Sequence, residues 1–492
     1  MEKPNVKKNY IYRLSYEILT LIIPFITTPY VSRVLGADGI GIYSYTYSIM
    51  SYFVLFGALG TATYGAREIS QHRDDKKESS KLFWEIELMT VITSGICLIA
   101  WFLVIIFWFD YRYYFLALTP VLLGTMVDIS WYFTGLEQIK YIVIRNTMVK
   151  FSGIILLFLL VKSKEDLIIY FIINSSVTLL GNMTMWMYLP KTLVRVNWKG
   201  LTLKKHFKEA LVYFIPTIAT SVYTVLDKTL IGAITGSTYQ NGYYEQANKI
   251  INIIKAIVFS SVNTVLGTRI AYLFALNKID EIKHRIIRSM DYILLIGFGC
   301  TFGICGIAND FVPIFFGTGY EPVVNLLYCM SSLIIIIGIS NCLGSQYYTP
   351  SGQRKRSAKY IIFGSCVNFV CNLLLIPKLG AMGATIGSII AESVIAILYI
   401  NHSDGIMSWS QLGKLSWKRV IAGSVMLCCV KSVEMFKISS LLIRVTIQLG
   451  VGIATYGVLL LLLHDGMLLE LINMIKNVFS SVWRCINGRA QH

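Results

Sequence analysis

Apolar stretches of about sixteen or more residues recur about fourteen times along this 492-residue chain, and short, markedly basic segments separate alternate pairs of them. Such a chain is expected to be an all-α polytopic membrane protein. A hydrocarbon core of about 30 Å takes roughly 20 apolar residues per helix, and helices satisfy their own backbone groups where water is absent. Composition points the same way: 55% of residues are hydrophobic, 14% are charged and mean hydropathy is +0.62, against roughly 25% charged in soluble domains. About fourteen helices consume about 280 residues, so what remains is loops and tails too short to fold alone. The expected spans are 11–32, 39–64, 84–108, 112–134, 143–162, 166–189, 209–233, 243–272, 288–308, 323–347, 357–376, 380–400, 419–436 and 441–463. Span 13 is the weakest, because Lys431 and Glu434 interrupt it.

The net charge of +17 is unevenly distributed. Alternate connections, counted from the amino terminus, hold roughly 31 cations, against about 6 (Arg33, Arg112, Lys162, Lys164, Lys378 and Lys437) in the other set. That positive-inside bias predicts a polytopic membrane protein with both termini cytoplasmic. The basic runs read as orientation signals and contacts with anionic membrane lipids rather than as a nucleic-acid surface.

Several chemistries are disfavoured. The six histidines (His72, His206, His284, His402, His464 and His492) fall in predicted cytoplasmic connections without ligand spacing, so no metal is expected. Nine of the ten cysteines lie in or at the edge of spans and Cys485 lies in the tail, which argues against a disulfide framework. Gly297, Gly299 and Gly303 read as helix-packing residues, and there is no GxxxxGK[ST] for ATP. No cofactor is expected. Residues 1–13 run into the first span with no leader cleavage site. The longest external connections, near 234–242 and 309–322, are about a dozen residues, too small for a glycosyltransferase or polymerase, so no enzyme is expected.

A longer basic connection capped by Pro190 divides the chain. The expected organisation is an amino-terminal six-helix lobe (1–189), a cytoplasmic linker (190–208), a second six-helix lobe (209–400), two additional helices (401–463) and a cytoplasmic tail (464–492). Two six-helix halves share one orientation and are pseudo-symmetric about an axis along the membrane normal. A weak repeat accompanies this division. Span 2 opens with Gly41-Ile-Tyr43-Ser-Tyr45-Thr-Tyr47 and span 8 with Gly242-Tyr-Tyr244-Glu-Gln-Ala-Asn248, with Arg67 and Arg269 following each about 26 residues on. Pro24 and Pro29 in span 1, and Pro216 in span 7, mark corresponding places for a bend.

A charge at mid-bilayer costs about 2.5–3.5 kcal/mol on insertion scales, so such residues face a cavity or a partner. The richest cluster opens the second half: Asp227 and Lys228, then Glu245, Lys249, Lys255 and Arg269. Two readings stand. The cluster is a salt-bridge network holding spans 7 and 8 together, or it lines a hydrated cavity in which the cations meet phosphate while Asp227 and Glu245 take up a proton or sodium ion. Arg33 and Arg67 end spans 1 and 2; Asp128 is a buried candidate in span 4, and Glu137 reads as interfacial. Glu392 is isolated in span 12 and is either a coupling site or a packing hydrogen bonder. Tyr43 and Tyr47 share a helical face and can stack on sugar rings, although tyrosine is also common at membrane interfaces.

Three segments resemble signatures of the Wzx-type oligosaccharide repeat-unit flippases, within the multidrug/oligosaccharidyl-lipid/polysaccharide exporter superfamily. They are Val31-Ser-Arg33-Val-Leu-Gly36-Ala-Asp38-Gly-Ile-Gly41-Ile-Tyr43; Asp227-Lys228 with Gly242 to Lys249; and Pro350 to Lys355 with Asn368, Asn372 and Ile376 to Ala384. The resemblance implies a multidrug-exporter-like fold, two lobes in a V that open alternately to either side. It also implies translocation of undecaprenyl-diphosphate-linked oligosaccharides for capsule, exopolysaccharide or related polymers. Substrate contacts would fall to Lys228, Lys249, Lys255, Arg269, Arg33, Tyr43 and Tyr47, and proton or sodium coupling to Asp227, Glu245, Asp128 and Glu392. Polymerase and glycosyltransferase partners are implied as well. Relatives that flip the peptidoglycan precursor carry a denser basic cavity in the first half, whereas span 1 here, Ser15 to Tyr30, has no arginine and only Glu17. The alternative is a cation-coupled multidrug exporter of the same superfamily, which would call for acidic cavity residues where cations prevail here.

Overall fold

A computed structural model describes residues 6–191, 193–276, 278–436, 438–474 and 476–477. Among them every regular element is helical. In order these are α1 (Val6–Ala58), α2 (Thr61–Gln71), α3 (Lys76–Phe107), α4 (Arg112–Met126), α5 (Ser130–Gly135), α6 (Ile139–Leu160), α7 (Leu167–Thr184) and α8 (Leu203–Thr235). They continue with α9 (Thr238–Ala275), α10 (Ile279–Phe316), α11 (Glu321–Met330), α12 (Ser332–Leu343), α13 (Arg354–Leu379), α14 (Ala381–Asn401), α15 (Trp409–Ser432) and α16 (Leu441–Leu462). Ten helical stretches among the described residues are long and apolar enough to cross a membrane, and helix occupies each of the expected span positions. The amino-terminal residues 1–5, Lys437 and the tail from 478 lie outside the described residues.

One of those ten stretches, Leu14–Gln71, is 58 residues long. At 1.5 Å per residue it would extend about 87 Å, nearly three hydrocarbon thicknesses, so it cannot be one straight span. It breaks at Gly36, whose φ of 69° and ψ of 175° are non-helical and suit a residue without a Cβ. The break falls in the connection expected between spans 1 and 2, and Pro24 and Pro29 sit inside the helix before it. Span 13 also shifts: α15 runs from Trp409 to Ser432 and gives way to a 3-10 turn, Val433–Met435, that takes up Glu434.

The chain forms two compact units, the first extending to Glu245 and including Asn372–Ala381, the second comprising Gln246–Cys371 and the residues from Met382. In the first, α1 packs on α3, α4, α6 and α8, and α4 packs on α7. An aromatic core of Tyr64, Phe83, Trp131, Tyr132 and Phe133 gathers α2, α3 and α5. The basic connection before α8 is anchored to this core. Glu85 accepts from the Thr202 backbone N–H at 2.6 Å and from its hydroxyl at 3.1 Å, and pairs with His206 Nε2 at 2.8 Å; His206 Nδ1 meets the Tyr64 hydroxyl at 2.6 Å. His206, read as a residue of a cytoplasmic connection, is therefore buried.

Near Gly36, the second part of α1 crosses the start of α9 with backbones almost in contact. A Cβ on Gly41 would meet the Thr238 carbonyl oxygen at 1.7 Å, and one on Gly242 would meet the Ala37 oxygen at 2.0 Å. These two contacts exchange under a shift of 201 residues, and Ser44, which hydrogen-bonds Glu245 at that same separation, pairs with its own counterpart. A repeat related by a two-fold axis produces such a pattern.

In the second unit α10 is the hub for α11, α12, α15 and α16. Arg419 of α15, also read as a cation of a connection, is 1% exposed and bridges Asp291 at 2.5 Å and Asp465 at 3.1 Å. Farther along α10, Asp310 bonds Arg444 and, at 2.8 Å, the Gln448 amide. Two buried polar networks thus fasten the last two long helices to α10.

Candidate functional site

The crossing of α1 and α9 gathers several predicted residues in the first unit. Lys228 Nζ of α8 lies 2.6 Å from Glu245 Oε2, both side chains being largely buried, and the Ser44 hydroxyl donates to the same oxygen at 3.1 Å. Tyr43 and Tyr47 stack beside this pair, with ring centroids 5.4 Å apart and planes inclined by 17°. Tyr170 of α7 meets Tyr43 edge-on at 4.9 Å. Tyr47 is within electrostatic reach of both Lys228 and Glu245. Ser48 and Tyr52 reach Thr229 at 2.9 and 3.2 Å. The result is an aromatic and hydroxyl-rich lining around one ion pair, with Tyr47 40% exposed. Stacked rings offer faces for sugar C–H groups, and the hydroxyls offer donors and acceptors.

Asp227, one residue before Lys228, turns elsewhere. It is 4% exposed and accepts from the Tyr244 hydroxyl at 2.5 Å and the Asn372 amide at 2.6 Å. This carboxylate therefore ties α8, α9 and the end of α13 together, which gives Asn372 of the third signature a role. Asp38 of the first signature accepts from Thr238.

The other predicted residues are dispersed. Arg33 is exposed near the break in α1. Asp128 sits at the joint between α4 and α5, where it caps Ser130 at 3.0 Å and lies within electrostatic reach of Arg145 and of Glu87, a carboxyl 2% exposed on α3. In the second unit Lys249 and Lys255 are half-buried on α9, and Lys255 is within electrostatic reach of Glu392, which is 8% exposed on α14. The side chain of Arg269 lies outside the described residues. Gln353 of the third signature joins a polar knot centred on Asp404. Asp404 accepts from Tyr347 at 2.6 Å and Gln353 at 3.1 Å, with Arg356 at 3.4 Å, and these partners, the Tyr347 hydroxyl foremost, hold its carboxyl below the usual carboxylate range.

Sequence reasoning missed Ser44, Tyr170, Tyr244 and Asn372 as partners: Ser44, Tyr170 and Asn372 meet theirs across long stretches of chain, and Tyr244 reaches Asp227 from the neighbouring helix. It also passed by Glu87 and Lys150, though a lone charge in an apolar window is a readable signal. A further feature carries no charge at all. In the second unit a slot of about 530 Å³ opens between α10, α15 and α16, lined chiefly by apolar groups such as Leu295, Met426, Val430 and Tyr456. Gly303 and Gly457 help to open it, since a Cβ on either would meet nothing within 4 Å.

Residues 6–267 match the sequence profile of the polysaccharide biosynthesis protein family. The chain belongs to that family. It is 24% identical over 407 residues to an Escherichia coli K12 protein named "Putative O-antigen transporter", covering 81% of this chain and 96% of that one. A Shigella dysenteriae protein of the same name is 25% identical over 405 residues, covering 80% and 99%. Among solved structures, "Lipid II flippase MurJ, inward closed conformation" superposes with a TM-score of 0.71 at 13% identity, covering 93% of this chain and 99% of that chain. A Pyrococcus furiosus transporter of the MOP superfamily superposes with a TM-score of 0.51 at 10% identity, covering 86% and 94%. At those identities the likeness shows the fold, which is that of the exporter superfamily the signatures resemble.

Proposed function

We propose that this protein moves polyprenyl-diphosphate-linked oligosaccharides from the inner to the outer leaflet of a bacterial plasma membrane by alternating access, for capsule, exopolysaccharide or a related surface polymer. What carries the reading is membership of the polysaccharide biosynthesis family together with similarity over about four-fifths of this chain to two proteins named "Putative O-antigen transporter". The geometry suits such a cargo. In the first unit Tyr43, Tyr47 and Tyr170 supply stacking faces and hydroxyls for sugars, and in the second unit the apolar slot beside α15 and α16 has room for a stretch of isoprenoid chain; charge for the diphosphate is assigned, from the sequence, to Lys228, Lys249, Lys255 and Arg269. The two six-helix halves, 1–189 and 209–400, are the repeating pieces of the cycle. The charge bias supports placing both termini on the cytoplasmic side. Coupling to a proton or sodium ion falls to Asp227, Glu245, Asp128 and Glu392, and a polymerase and glycosyltransferases are its partners in polymer assembly.

The test is reconstitution. Proteoliposomes carrying a fluorescent undecaprenyl-diphosphate saccharide in both leaflets are treated with a membrane-impermeant quencher. Protein-dependent quenching of the inner pool supports the reading, and protection equal to that in empty liposomes under every imposed ion gradient overturns it. Changing Asp227, Glu245, Asp128 and Glu392 singly to the amide in the same assay isolates the coupling carboxylates. Unchanged ion dependence in all four variants removes the coupling assignment and leaves the cargo untouched.

A further inference from the structure

Lys150 lies near the middle of α6, a 22-residue helix that is one of the ten able to cross a membrane. Around that helix Met148, Phe151, Ile155 and Leu159 recur every three or four residues and are 49–68% exposed, which marks the lipid-facing stripe. At 100° per residue Lys150 lies roughly opposite that stripe, in line with the buried Val143 and Leu157 seven residues to either side. It faces protein. From mid-helix its four-carbon stem is too short to carry the ammonium to either headgroup layer.

What it meets there is polar. Its Nζ stands 4.9 Å from the centre of the Tyr16 ring on α1. The Tyr16 hydroxyl lies against the Asn146 side chain and within electrostatic reach of Arg145. Arg145 bonds the Asn182 amide oxygen, and its Nε is buried without a hydrogen-bond partner. Asp128 offsets the charge of Arg145, but among the described residues no carboxylate forms an ion pair with Lys150. A lysine at this depth, turned inward and without a counter-charge, marks a ligand that brings one.

We propose that Lys150, with Tyr16, Asn146 and Arg145, forms an anion site in the first unit for the phosphate headgroup of a lipid. The ammonium, the phenol, the amide and the free guanidinium N–H are all donors, and a phosphate oxygen accepts from each. Lys228, by contrast, is already paired with Glu245 at 2.6 Å, so Lys150 is the better-placed charge for an incoming anion. The headgroup belongs either to the isoprenoid carrier, in which case the site rests on the proposed transport reading, or to a membrane phospholipid.

The experiment is binding by the purified full-length protein in zwitterionic nanodiscs, titrated with undecaprenyl diphosphate, phosphatidylglycerol or uncharged undecaprenol. Lys150→Gln should weaken binding of the phosphate lipids at least about tenfold and leave undecaprenol unchanged, while Lys150→Arg stays within about threefold of the native chain. Selective loss for the diphosphate assigns the carrier, and equal loss for phosphatidylglycerol assigns a phospholipid. Tyr16→Phe, which keeps the ring, should weaken the same ligands by a smaller factor and gives a reading if the glutamine variant does not fold. Native affinity for both phosphate lipids in a folded Lys150→Gln protein overturns the site, whatever the transport assay shows. Absence of transport with this binding pattern intact instead removes the flippase reading and keeps the site.

Discussion

Glu245 joins two distant contacts, pairing with Lys228 of α8 and accepting from Ser44, 201 residues earlier in the chain. Removing one partner strands the other charge in a largely buried setting. Lys228→Met or Glu245→Gln should therefore destabilise the protein by about 1.5–3 kcal/mol, read as a lowered thermal midpoint, and the double variant K228M/E245M should recover most of it. Recovery of stability without recovery of transport would assign the pair a part in transport beyond holding helices together, whereas midpoints unchanged in both single variants would contradict the pairing. Candidate charges were legible in the sequence because an ion in an apolar window stands out. Their partners were not: nothing local says that Asp227 turns to Tyr244 and Asn372 while its neighbour turns to Glu245. Lys150 was equally visible as a residue, but its inward orientation depends on which face of α6 meets lipid.

At the scale of elements, glycine decides where two helices meet. Gly41 and Gly242 each lie against the other helix's carbonyl oxygen, and a Cβ at either would stand 1.7 or 2.0 Å from it. Gly41→Val and Gly242→Val should each abolish accumulation of folded protein, because the clash is with backbone on both sides. Gly95→Ala on α3, where a Cβ meets nothing within 4 Å, should be neutral or stabilising by up to about 1 kcal/mol. Wild-type levels of folded protein in either valine variant, measured by fluorescence-detected gel filtration, would contradict the crossing. Apolar length made the helices predictable, and the break at Gly36 falls in the connection expected between spans 1 and 2. A proline inside a membrane helix can be absorbed, as Pro24 and Pro29 are, while the positive φ of Gly36 leaves no alternative. The end of α15 moved for a similar reason, because the charges at Lys431 and Glu434 end the helix rather than interrupt it.

The whole molecule follows from two sequence properties that act over its full length. Apolar stretches long enough to cross a bilayer dictate an all-helical membrane fold, and three signatures in order resemble a family that the profile match over residues 6–267 then shows. The compact units were less legible, since α8 and the segment Asn372–Ala381 pack with the first half of the chain, through contacts that hydropathy does not register. Arg419 and His206 likewise read as loop residues and are buried, because ion pairing of Arg419 with Asp291 and Asp465, and hydrogen bonding of His206 with Glu85, let a polar side chain leave water. The central claim concerns cargo, and lipids from cells lacking this chain test it most directly. Quantified beside the surface polymer, polyprenyl-diphosphate oligosaccharide should accumulate while the polymer is lost, and both should return to normal when the native gene is restored. Unchanged lipid-linked oligosaccharide together with unchanged polymer would contradict the account.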